Sequence, residues 1–126
     1  MLLQTSCRAV GNVLVVDCKG RIVVGEETAF LRHQVRDLVR ESRHIILNLA
    51  DVSYIDSAGV GTLVGLYTAA KNTGGNIQLA GLTGKVKDVL QITKLVTVFE
   101  TFSDVADAVA CATRGPDYGS TAKSAD

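Results

Sequence analysis

The chain has 126 residues, and its 13 basic and 13 acidic side chains balance to a formal net charge of zero. That length is one ordinary domain, able to bury a core without disulfides or metal. The balanced charge, with no basic stripe, argues against a nucleic-acid partner. The longest purely aliphatic stretch, "VLVV" at 13–16, is far below the roughly 20 residues of a membrane helix and argues against direct membrane insertion.

In chain order, "MLLQTSCRAV" lacks the apolar centre of a signal peptide. "SCRAV" and "VLVVDC" read as two short strands joined at Gly11-Asn12, residues that tolerate the positive φ of a two-residue hairpin turn. Residues 25–41 read as a helix: Leu31, Val35, Leu38 and Val39 share one face, and Glu26 and Glu27 complement the dipole in the first turn. "HIILNL" (44–49) is a buried-strand pattern. A second helix spans 57–73 and ends at the glycines of "NTGG". "NIQLAG" (76–81) reads as a strand, 83–94 as a short helix with Val86, Val89 and Leu90 inward, and "VTVFE" (96–100) as a last strand. "SDVADAVACAT" gives a last helix, capped by Ser103 or Asp104. The tail "RGPDYGSTAKSAD" (114–126) is polar and patternless, and is read as disordered chain or a remnant foreign to the domain.

The order β-β-α-β-α-β-α-β-α predicts an α/β fold. The sheet is mixed and mainly parallel, with right-handed crossovers, an N-terminal antiparallel hairpin and about four helices. In such sheets functional groups gather where strands end and helices begin. "NLADVSYIDSAGVGTLVGL" (48–66) is such a point, and it sets a hydroxyl, Ser57, between Asp56 and the small pair Ala58-Gly59.

Several chemistries fail on spacing. The nucleophile elbow G-x-S-x-G lacks its first glycine, since the five residues are Ile55-Asp56-Ser57-Ala58-Gly59. The two histidines, His33 and His44, fall mid-helix and at the start of a strand, away from Ser57. Gly59, Gly61 and Gly65 miss a dinucleotide fingerprint, which needs its third glycine at 64, where Val stands. "GLTGKV" (81–86) misses a phosphate-binding loop, with Leu79 and Val86 where Gly and Ser or Thr are required. No His, Cys, Asp and Glu cluster has metal spacing. Cys7, Cys18 and Cys111 are odd in number and scattered, which fits small packed thiols in a reducing cytoplasm. No catalytic residue, metal or cofactor is assigned.

Asp56 or Ser57 can cap the helix. A phosphate on Ser57 would carry about −1.5 to −2 charge, and the free N–H groups of the helix N-terminus would accept it. Gly61, Gly65 and Ala69 repeat at i, i+4 and i+8, a small-residue stripe that permits close backbone approach to the sheet or to another protein, with tight packing of helix on sheet at least as good a reading for Gly65 and Ala69; Ala58 and Gly59 read as a flat exposed surface.

The segment "D-S-A-G-[VL]-G" after an "[IV]-x-[LVI]-[ND]-[LF]" strand, followed by "GG" and a further strand, resembles the STAS domain of bacterial anti-sigma factor antagonists. The resemblance covers about residues 3 to 111, within a domain at 1–113. It implies a protein without catalysis of its own. Ser57 would be the phosphoacceptor, and Asp56, Ala58 and Gly59 its loop. Gly20, Arg21, Val23, Val24, Val60 and Gly61 would form the partner surface. The implied partners are an anti-sigma factor that is also a serine kinase, and a phosphoserine phosphatase. The unphosphorylated form would capture the kinase and free a sigma factor. Many members carry "G-E-L-D" where this chain has Gly20-Arg21-Ile22-Val23, so the acids are missing there and Glu26 and Glu27 stand nearby. The rival reading is a constitutive STAS subunit of a larger assembly, such as a lipid-transport ATPase or a signalling scaffold. Oligomeric state is left open.

Overall fold

The computed structural model describes residues 3–40 and 44–113. The elements are β1 (Leu3–Val10), β2 (Val13–Ile22), α1 (Glu26–Val39), β3 (His44–Ile55), α2 (Ser57–Asn72), β4 (Asn76–Ala80), α3 (Gly84–Ile92), a 3₁₀ turn (Leu95–Thr97), β5 (Thr101–Phe102) and α4 (Val105–Thr113). They form one sheet in the order β1-β2-β3-β4-β5. The first pair is antiparallel and the other three are parallel. The expected tail from Arg114 lies outside the described residues, as does the end of the first predicted helix at 41.

Each parallel crossover steps the same way across the sheet, and the right-handed rule then puts every crossover helix on one face. Alternation along the strands matches. Val16, Cys18, Ile45, Leu47 and Leu49 join Leu31, Val35, Leu63, Leu66, Val86 and Leu90 in the main core. The intervening Val13, Val15 and Ile46 face the other way, where Ala108 and Ala112 of α4 cover them. Asp104 caps α4, its Oδ1 accepting from the Asp107 N–H at 2.9 Å.

Two differences from the sequence reading matter. The expected strand at 96–100 is the 3₁₀ turn and its exit. Lys94 adopts a left-handed φ of 62° at the end of α3, and the turn that follows delivers Phe99 into the core, its ring 5.0 Å from Tyr67 in an edge arrangement. Only Thr101 and Phe102 then pair, with Leu79 and Ala80. The second difference is length: β2 and β3 run on to Ile22 and Ile55. Apolar alternation fades after Leu49 because the β2–β3 register shifts twice, between Asp17 and Lys19 and between Gly20 and Arg21. Asn48 sits at the first shift. Its Oδ1 accepts from the Ala50 N–H at 3.2 Å and its Nδ2 donates to Asp17 Oδ1 at 2.7 Å. The extra residues change the period, so Leu49, Val52 and Ile55 all stay buried. That carries β3 straight to the mouth of α2.

Candidate functional site

β3 ends at Ile55 and α2 begins at Ser57, leaving Asp56 alone at the junction. Asp56 is the N-cap, with extended backbone, and its Oδ1 accepts from the Gly59 N–H at 2.8 Å. Its other oxygen, Oδ2, accepts from the Val24 N–H at 3.0 Å, across 32 residues of chain. The Asp56 N–H in turn donates to the Ile22 carbonyl at 3.3 Å. One residue therefore closes the helix, ties it to the β2–α1 loop and extends the strand contact. Burial alone would raise the Asp56 pKa. The N–H groups of Val24, Gly59 and Ala58 outweigh it and hold the carboxyl below its ordinary range. It is a carboxylate at neutral pH. At the helix N-terminus read from the sequence as open to an anion, this carboxylate already takes the Gly59 amide.

Ser57, the first residue of α2, is exposed and does not serve as the cap. The expectation for Gly59 is reversed, and of the two alternatives for Gly65 the packing on the sheet is overturned. Gly59 is buried, not flat surface: a Cβ there would lie 2.2 Å from the Ile22 carbonyl oxygen and 2.6 Å from Ile55 Cγ1. Only glycine lets α2 start this close to β2. Gly65 is exposed and does not pack on the sheet, and neither Gly61 nor Gly65 has an atom within 4 Å of where a Cβ would stand. Ala69 and Ala58 are half-buried.

Of the residues assigned to a partner surface, Arg21, Val24 and Gly61 are exposed and Gly20 and Val23 are intermediate. Val24, at 71% exposure, is the apolar side chain presented beside the Asp56 junction. Val60 is 8% exposed and packs in the core, not on the partner surface assigned to it. Tyr54, 41% exposed and paired in register with Arg21, is a surface residue of this end of the sheet that the sequence reading missed. Its place follows from the register shift, which no local pattern signals.

His44 begins β3 and Ile55 ends it, so the histidine stands roughly 35 Å of strand away from Ser57. No base for a Ser57 nucleophile comes from it. Among the described residues, no group of three or more His, Cys, Asp and Glu could hold a metal, and no helix is long and apolar enough to cross a membrane. Cys18 is buried, and that burial, with Asp17 alongside, pushes its thiol up to about 12. It is an unreactive core group.

Comparison with known proteins agrees with this architecture. The anti-sigma-B factor antagonist of Bacillus subtilis (strain 168) is 30% identical over 89 residues, which are 71% of this chain and 81% of that protein. An anti-sigma factor antagonist from Mycobacterium paratuberculosis superposes with a TM-score of 0.77 at 20% identity, covering 90% of this chain and 95% of the other. The Bacillus antagonist SpoIIAA has the same fold at 18% identity. Its unphosphorylated form gives a TM-score of 0.75, covering 90% of this chain and 99% of the other, and its phosphorylated form gives 0.67, covering 85% and 97%. The STAS domain pattern matches residues 4–108, nearly the whole described chain, and with the single five-stranded mixed sheet, its N-terminal hairpin and its four helices it establishes that the chain belongs to the STAS domain family.

Proposed function

We propose that this chain is an anti-sigma factor antagonist whose binding is switched by phosphorylation of Ser57. One observation carries the reading: Ser57 is exposed at the start of α2 while Asp56 does the capping, so its hydroxyl is available for modification without cost to the fold. The relative in Bacillus subtilis, named as an anti-sigma-B factor antagonist, supports the role. SpoIIAA, of the same fold and known in both unphosphorylated and phosphorylated forms, supports the switch.

The chain is a binding protein and supplies no catalysis. In the unphosphorylated state the STAS domain, residues 1–113, captures a kinase-type anti-sigma factor in the cytoplasm and a sigma factor is released. Val24, Arg21 and Gly61 form the exposed docking surface, with Gly20 near the end of β2 and Val23 in the loop after it beneath that surface. The kinase holds ATP. Ser57 Oγ attacks the γ-phosphorus, the bond to ADP breaks, and the hydroxyl proton passes to a base on the kinase. The phosphate brings about −1.5 to −2 charge and three acceptor oxygens onto the docking surface, and the partner leaves. A phosphatase hydrolyses the ester with one water and returns inorganic phosphate.

Calorimetry tests this. Wild-type protein first captures its anti-sigma factor in a pulldown from the native cell. Ser57→Ala then binds that factor as tightly as wild type, Ser57→Asp more weakly and phosphoserine more weakly still. Each tenfold loss corresponds to about 1.4 kcal/mol. Equal affinities across the three forms would overturn the switch, and capture of a transporter ATPase instead would favour the constitutive-subunit reading.

A further inference from the structure

Asp56 uses both carboxylate oxygens at once: Oδ1 on the Gly59 N–H at 2.8 Å and Oδ2 on the Val24 N–H at 3.0 Å. The first bond takes the Gly59 amide in the first turn of α2. The second reaches the β2–α1 loop and keeps the carboxylate from rotating aside. An anion at a helix N-terminus ordinarily takes the amides there. Here a phosphate on Ser57 meets a fixed negative charge on the adjacent residue, which already takes the Gly59 amide.

We infer that Asp56 is a positioning residue that holds the phosphate of phosphoserine-57 off the helix N-terminus and out toward solvent. The inference rests on the proposed modification of Ser57 and adds where the phosphate goes. Charges on neighbouring residues stand well inside the screening length of about 8 Å at physiological salt, so their repulsion persists in the cell. A phosphate folded back onto the amides would be half-hidden from a phosphatase and from a docking partner. Held outward, it is open to the first and in the way of the second. The fold is undisturbed, because the cap never changes hands.

The test installs phosphoserine at position 57 during translation, so it needs no kinase and reads no partner. Thermal unfolding and the Gly59 amide resonance are followed with and without phosphate in wild type, Asp56→Ala and Asp56→Asn. In wild type, phosphate leaves the Gly59 amide in place and does not raise Tm. In Asp56→Ala the vacated Gly59 amide accepts the phosphate. The Gly59 resonance moves downfield and Tm rises by about 4 °C on phosphorylation, the shift expected of one restored cap in a domain of this size. Asp56→Asn keeps a neutral cap, so phosphorylation is better tolerated than in wild type while the Gly59 amide stays put. The asparagine variant decides the matter if the alanine variant does not fold. An identical Tm change on phosphorylation in wild type and in the variants, or a Gly59 amide that moves in phosphorylated wild type, would overturn the inference. Either result leaves the partner switch of Ser57 to stand or fall on its own calorimetry.

Discussion

Three glycines of α2 make a controlled experiment. Alanine is favoured over glycine inside a helix by about 0.8–1 kcal/mol, so each Gly→Ala change begins with the same gain. At Gly59 the new methyl would sit 2.2 Å from the Ile22 carbonyl oxygen, 2.6 Å from Ile55 Cγ1 and 3.0 Å from Ile22 Cγ2. That carbonyl is not free to move, since it accepts the Asp56 N–H at 3.3 Å. Overpacking of this kind costs about 1–3 kcal/mol, and more when backbone must shift. With backbone as the nearest obstacle the upper end applies, and after the propensity gain Gly59→Ala destabilises by about 2 kcal/mol. Gly61 and Gly65 have open space where the methyl would go, so each of those substitutions stabilises by about 0.5–1 kcal/mol. Urea denaturation gives all three values, read from midpoints at constant slope. A Gly59→Ala protein as stable as wild type, or a loss at Gly61 or Gly65, would refute the account of how α2 is seated.

Ser57→Ala should cost less than about 0.5 kcal/mol, because Ser57 is not the cap, whereas Asp56→Ala should cost about 2 kcal/mol, roughly one for the cap and one for the Val24 bond; equal losses in chemical denaturation would contradict the assignment. Asp56 and Asp17 both lie below the ordinary carboxylate value of 3.8 in the folded chain. Burial opposes this in each, and it is outweighed by backbone N–H groups around Asp56 and by Arg8 and Asn48 around Asp17. A depressed folded pKa contributes stability that is complete above the unfolded value and lost as pH falls through the folded one. Urea midpoints should therefore hold steady down to about pH 5 and fall below about pH 4, and replacing both residues by asparagine should flatten that fall.

The sequence carried the order of elements because it rests on local periodicity. Leu31, Val35 and Val39 on α1 needed no tertiary information, and they are buried as read. It failed at 96–100, where alternating Val and Thr imitate a strand, and the left-handed Lys94 and the burial of Phe99 decide otherwise. It also failed on β3 beyond Leu49, where the register shifts turn a period of two into a period of three. At the site, capping chemistry named two candidates, Asp56 and Ser57, and only the fold chose between them. The choice depends on the Val24 N–H, which lies 32 residues away in the chain. Gly59 as exposed surface and Gly65 as packed on the sheet fail for the same reason. Spacing puts Gly61 and Gly65 on one stripe, but which glycine touches the sheet depends on the approach of Ile22 to Gly59.

Gly59 serves the fold, and Gly61 and Gly65 do not. Both of the latter lower helix stability, and a Cβ at either would meet nothing within 4 Å outside its own stretch of helix. Ser57, Gly61 and Gly65 recur every four residues, which on a helix is one face, and all three are exposed. The proposed function predicts a use for that face: with only the Ser57 side chain projecting from it, a partner's backbone would lie against α2 while its nucleotide site reaches Ser57. Gly65→Leu separates this use from stability. Leucine is a strong helix former, and the position has nothing within 4 Å of a Cβ, so urea denaturation should show the variant at least as stable as wild type. Its affinity for the anti-sigma factor captured by wild type should fall at least tenfold, a loss of about 1.4 kcal/mol, because the side chain holds the partner away from the helix. Phosphoryl transfer to Ser57 by that factor should fall in parallel. A stable Gly65→Leu protein with undiminished affinity would mean that the partner does not use this face, and would confine the docking surface to Ser57 and the β2–α1 loop around Val24.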